Sequence, residues 1–124
     1  MKQQNYAKGR NGESMAKDFL IYKNFRFIES NYQNKIGEID LVMSDKDVLV
    51  FVEVKLKVGD KYGQPEEMIN RSKLTQIRRV AESYLVFNPE MCRLYKKYRI
   101  DAVCIVTDET KEIKRISHYP SLEI

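Results

Sequence analysis

The stretch DLVMSDKDVLVFVEVK, residues 40–55, decides the fold. Val48, Val50, Val52 and Val54 alternate with Leu49, Phe51, Glu53 and Lys55. Strand side chains point to opposite faces in turn, so four valines line one face. The other face begins apolar and ends in a carboxylate and an amine. A run apolar on both faces is a central strand covered from both sides. Two opposite charges closing such a strand are costly to bury unless they line a cleft.

Ser44, Asp45, Lys46 and Asp47 supply turn chemistry between this strand and the one before it, IGEIDLVM. A two-residue loop at Asp45 and Lys46 pairs Ser44 with Asp47. Asp40 is then opposite Phe51 and Glu38 opposite Glu53, with Asp40 and Glu53 diagonal neighbours. Opposed residues share a face, so Glu38, Asp40, Glu53 and Lys55 all point one way. Three carboxylates on one face repel unless something positive sits among them. Lys55 supplies one charge and a divalent ion would supply the rest. Hard oxygen donors without Cys or His point to Mg²⁺ or Mn²⁺. From periodicity alone, a surface salt bridge between Glu53 and Lys55 explains the pair about equally well.

Outward from this hairpin the elements read in order. A first helix over about 10–24 places Ala16, Phe19, Leu20 and Lys23 on one stripe, with Asn11 as its cap. Glu13 shares that stripe. On spacing alone it is a first-turn acid favoured by the helix dipole, or a carboxylate aimed into a site. FRFIESN is a further strand. KVGDKYGQPEE is loop-like. A second helix spans roughly 70–87, with Ile77, Val80, Ala81, Tyr84 and Leu85 as its apolar stripe. Lys73 lies four residues before Ile77 on that stripe, a second lysine where apolar residues are expected. NPE at 88–90 ends the helix, because the residue before proline disfavours helical dihedrals. YRIDAVCIVT and EIKRISHY are the last strands. The pattern predicts a mixed α/β domain with helices packed on a mainly antiparallel meander.

The 124 residues, 43% of them hydrophobic, fit one globular domain over 1–124. No run approaches the roughly 20 apolar residues that span a bilayer. The opening MKQQNYAKGRNGES lacks a signal peptide's apolar core, so a cytoplasmic location without membrane contact is expected. Cys92 and Cys104 show no zinc-ligand spacing, and Cys104 sits in an apolar run as a buried thiol. His118 is the only histidine and reads as a surface or strand-end residue, which disfavours a His-based triad or zinc site. Hydrolytic chemistry would fall to carboxylates, lysines and a metal. A net charge of +4 is a mild pointer to a polyanionic partner. The basic runs RSKLTQIRR and RLYKKYR contain no acid, and Tyr95 and Tyr98 interleave the second, which suits phosphates and stacked bases as well as a solvated face.

Asp40, a short hairpin and then Glu53-Val54-Lys55 resemble the PD-(D/E)XK nuclease signature. The longer series GRNGESMAKDFL, GEIDLV, VFVEVK, YGQPEE, KLTQIRRVAESYL and RIDAVCIV, from Gly9 to Val106, resembles the YraN-like bacterial proteins of that superfamily, relatives of archaeal Holliday-junction resolvases. The resemblance implies a restriction-endonuclease-like αβββαββ core with a central mixed sheet flanked by helices. It implies that Asp40, Glu53 and the Val54 carbonyl hold Mg²⁺ or Mn²⁺, that Glu13 completes the metal site, and that Lys55 handles the attacking water. Lys73, Arg78, Arg79 and Lys57 would meet DNA; Lys57 stands where these proteins usually carry arginine, and Ile39 where the superfamily's name has proline. Glu38 fits either hairpin support or a metal role. The implied activity is endonucleolytic cleavage of DNA, including branched or flapped DNA, and a junction resolvase would need two sites and hence a homodimer. The alternative is an accessory protein that keeps the fold and binds nucleic acid without catalysis.

Overall fold

The computed structural model describes residues 11–123. Gly9 and Arg10, where the resemblance and the expected first helix begin, lie outside the described residues. Helix α1 (Gly12–Tyr22) leads into strands β1 (Arg26–Gln33), β2 (Glu38–Asp45) and β3 (Val48–Val58). A 3₁₀ turn (Pro65–Met68), helix α2 (Arg71–Phe87) and a short helix α3 (Pro89–Leu94) precede strands β4 (Lys97–Thr107) and β5 (Ile113–Tyr119). The caps follow from side-chain chemistry. Asn11 accepts from the Ser14 amide at 2.9 Å and Asn70 from the Lys73 amide at 2.8 Å, each satisfying an N–H that its helix leaves free.

The five strands form one mixed sheet in sequential order, matching a restriction-endonuclease-like core. It is not a meander. The β1–β2, β2–β3 and β4–β5 pairings are antiparallel, but β3 and β4 run parallel, from Val48↔Lys97 to Val58↔Thr107. A parallel neighbour needs a long crossover, and α2 provides it. The short helix α3 also differs from expectation. Asn88 does end α2, but Pro89 then opens a new helix, where its missing N–H costs nothing.

The sheet is covered on both faces, as the double apolar character of β3 requires. Val50 and Val52 pack with Met15, Ala16 and Leu20 of α1. Leu49 and Phe51 pack with Leu74, Ile77, Val80 and Tyr84 of α2. The Tyr84 ring meets Phe51 and Tyr32 edge-on, with centroids 5.4 and 4.9 Å apart.

His118 is a strand-end residue, the last but one of β5, but it is not on the surface: its side chain is only 6% exposed and its Nε2 lies 2.8 Å from Asp101 Oδ2. Asp101 is fully buried and also accepts from Arg99 and the Ser121 amide. Burial raises its pKa, but the hydrogen bonds from His118, Arg99 and Ser121 outweigh that and hold it below the ordinary value. The histidine thus helps to hold the last strand to the sheet. Cys104 is buried, as expected, and burial pushes its thiol up to about 11. No helix among the described residues is long and apolar enough to cross a membrane.

Candidate metal and phosphate site

The β2–β3 hairpin closes two residues out of the expected register. Asp45 pairs with Val48 and Leu41 with Val52, so the loop is Lys46–Asp47, and Lys46 takes φ 57. A left-handed residue in a two-residue loop matches the twist of the flanking strands. The shift is even, so no side chain changes face. Continuing the ladder by one residue sets Asp40 directly across from Glu53 rather than diagonal to it. Asp40 Oδ2 accepts from the Val54 amide at 2.8 Å, which fixes the carboxylate.

Glu53 is 3% exposed, yet it is not a surface ion-pair partner. Its Oε2 lies 3.2 Å from Lys55 Nζ and 3.6 Å from Lys73 Nζ. The two lysines thus converge on one buried acid from β3 and from the first turn of α2. Burial and then the Asp40 charge raise the Glu53 pKa; Lys73 and Lys55 oppose them without cancelling them. The cleft above these groups has a volume of about 460 Å³, and Glu38, Asp40, Glu53, Lys55, Lys73 and Gln76 are among its lining residues.

Glu13 reaches the same acids from the first turn of α1. Carboxylate oxygens of Glu13, Glu38 and Asp40 all lie within 4.8 Å of one another. Burial, then Asp40, raises the Glu13 pKa; a hydrogen bond with Asn31 lowers it, and Glu38 adds to the rise. Glu53 lies outside that trio and faces the lysines instead. Among the described residues, then, the acids divide into a cluster without a cation and one carboxylate held under two ammonium groups. The trio suits a hard divalent ion, since every donor is a carboxylate oxygen and no Cys or His is present.

Two residues of this site were not legible as such. Asn31 lies in a strand but has φ 57, a conformation that asparagine tolerates better than most residues. Its signal was an asparagine inside a strand pattern, where asparagine is depleted. Asn34 shapes the β1–β2 turn by accepting from the Ile36 and Gly37 amides at 2.9 and 3.2 Å. Gln76 of α2 donates to the Ile36 carbonyl at 3.1 Å, docking the turn beside the cleft. A Cβ at Gly37 would come within 3.0 Å of Gln76 Nε2 and 3.2 Å of Val80 Cγ2, so a larger residue would press on the side chain that docks the turn.

The remaining basic residues scatter. Arg79 is exposed. Arg78 is half-buried, its Nε has no hydrogen-bond partner, and it lines a separate hollow with Tyr98 and Ile100. Lys57 lies on the Glu53 face of β3, two residues beyond Lys55, and donates to the Tyr62 carbonyl at 3.4 Å.

The family model described as "Uncharacterised protein family UPF0102" matches residues 12–105, which contain every residue of this site. The chain belongs to the UPF0102 family. A UPF0102 protein of Pelotomaculum thermopropionicum is 37% identical over 111 residues, covering 90% of each chain. One from Caldicellulosiruptor bescii is 34% identical over 109 residues, covering 88% of this chain and 90% of the relative. A third, from Persephonella marina, is 34% identical over 109 residues, covering 88% and 91%. Family membership thus extends over the hairpin, α1 and α2, the elements that build the cleft.

Proposed function

We infer that this UPF0102 protein is a Mg²⁺- or Mn²⁺-dependent endonuclease that hydrolyses DNA, branched or flapped DNA included. One observation carries the reading: among the described residues, an acid trio without a cation adjoins a buried glutamate capped by two lysines. Acids so placed repel a phosphodiester, and a divalent ion reverses that. Glu13, Glu38 and Asp40 would hold the ion, with Glu53 and the Val54 carbonyl completing the set. When bound, it would supply an activated water and neutralise charge developing on the phosphate.

The chain's own groups do the rest. The Val54 amide fixes Asp40 in one orientation. Lys55 is placed to orient a water beside Glu53 or to stabilise negative charge on phosphate oxygens. Lys73, at the edge of the cleft, is placed to receive the neighbouring phosphate. A four-way junction would require two such sites, and so two copies of the chain.

The rival reading, a nucleic-acid-binding accessory protein without catalysis, draws on the same ion pairs. Glu53 already has Lys55 and Lys73 as counter-charges and so needs no metal to be buried. The two readings separate in one screen. Purified protein is mixed with single-stranded, duplex, flap and four-way DNA in Mg²⁺, Mn²⁺ or EDTA. The nuclease cleaves at least one substrate with metal and none in EDTA, and Asp40→Asn abolishes cleavage. Binding in EDTA with no cleavage in either metal would establish the accessory protein.

A further inference from the structure

The YGQPEE motif, residues 62–67, has no part in the site above, yet the fold fixes it firmly. Arg115 of β5 grips it from below. Its guanidinium donates to both Glu66 carboxylate oxygens at 2.6 and 3.0 Å and to Gln64 Oε1 at 2.7 Å. Tyr119 adds a hydrogen bond to Glu66 at 2.7 Å. Above this anchor the chain turns tightly, with the Gly63 amide donating to the Asp60 carbonyl at 3.3 Å. Gly63 takes φ +109, and a Cβ there would come within 2.5 Å of a Glu67 carboxylate oxygen. The result is that Tyr62 is held out into solvent, 84% exposed. Lys57 bonds its carbonyl, and Lys61 Nζ lies 5.7 Å from its ring centroid.

A tyrosine presented so openly on an anchored turn offers a free aromatic face. Its position relative to the acids gives that face a use. Glu53, Lys55 and Lys57 follow one another on the same face of β3, and four residues of strand cover about 13 Å. A phosphate backbone leaving Glu53 therefore passes Lys55, then Lys57, and arrives at Tyr62. Beside Tyr62 is an open hollow of about 690 Å³, lined also by Val58, Gly59 and the β4–β5 turn. Its acids do not favour phosphate. Asp108 Oδ1 is taken by the Thr110 and Glu112 amides, and the exposed Glu109 is a second carboxylate on that side. Phosphates belong on the lysine side and an uncharged base on the Tyr62 side.

We propose that Tyr62 is a stacking platform for an unpaired base of a DNA strand, with Lys57 and Lys61 holding the adjoining phosphates. The substrate class rests on the nuclease reading and narrows it: the strand beyond the cleft is single, because a base inside a duplex already has both faces stacked on its neighbours. The protein contains no tryptophan, which makes the test direct. Tyr62→Trp creates a single tryptophan at the platform, excited selectively over the remaining tyrosines. Tyr22→Trp creates one at an equally open tyrosine at the far end of α1, 87% exposed. Both are titrated with a twelve-nucleotide oligothymidylate in EDTA and again in Ca²⁺, a hard divalent ion that oxygen donors also hold. Saturable quenching at position 62 and none at position 22 is expected. Tyr62→Ala weakens single-strand binding about tenfold, Tyr62→Phe restores it, and duplex binding is unchanged throughout. Equal quenching at both positions, no quenching at position 62, wild-type affinity in Tyr62→Ala, or no oligonucleotide binding at all would overturn the proposal. If DNA is cleaved with Mn²⁺ but position 62 stays silent, only the platform falls. If position 62 responds but no DNA is cleaved, only the nuclease reading falls.

Discussion

Asp40 shows what one residue costs and provides here. Its charge raises the pKa values of both Glu13 and Glu53, after burial itself. An acid whose pKa rises on folding subtracts stability once pH exceeds its unfolded value, 4.5 for a glutamate here. The cleft therefore weakens the fold at neutral pH, as functional sites often do. Asp40→Asn keeps an oxygen to accept the Val54 amide while removing the charge. At pH 7 without metal it should melt above wild type by differential scanning calorimetry. Wild type should gain stability from Mn²⁺, about 2.7 kcal/mol at a hundredfold excess over Kd, and Asp40→Asn should gain almost none. An equal gain in both proteins would remove Asp40 from the site. That Asp40, Glu53 and Lys55 share a face was legible from alternation alone, since even a two-residue error in register preserves it. That Glu53 turns to two lysines while Glu13 and Glu38 gather at Asp40 was not, because side-chain pairing within a cleft leaves no period in the sequence.

Among the elements, the Glu66–Arg115 pair ties the 3₁₀ turn to β5 across the end of the sheet. Hydrogen bonding from Arg115 lowers the Glu66 pKa from 4.5 to about 2. The pair therefore contributes its full stability above pH 4.5 and loses it as pH falls through about 2. Arg115→Met should melt below wild type at pH 7, and the gap should narrow steadily between pH 4.5 and 2. A gap independent of pH would mean that Arg115 acts through packing alone. The strands and both long helices were legible because their apolar periods are strong. The parallel β3–β4 pairing was not read, although a signal existed. Thirty-eight residues separate the two strands, enough for the helical crossover that parallel neighbours need. The short helix α3 was missed because Pro89 ends one helix and starts the next, and a proline signals either.

At the scale of the whole molecule the net charge of +4 is modest, and its placement matters more than its size. DNA affinity should fall steeply with salt. Arg79→Ala should reduce the log–log slope by about one unit, as expected for one lost phosphate contact. An unchanged slope would mark Arg79 as part of a solvated helix face. Arg78 is the less clean probe, since its Nε is buried away from the cleft.

The central claim is that Lys55 and Glu53 share one face of the central strand because one serves the reacting phosphate and the other the ion that activates the water. Single-turnover cleavage of the best DNA substrate at saturating Mn²⁺, by wild type and Lys55→Ala, tests it most directly. Lys55→Ala should keep the Mn²⁺-dependent rise in melting temperature and lose cleavage by about a hundredfold or more. A wild-type cleavage rate from Lys55→Ala would contradict the account.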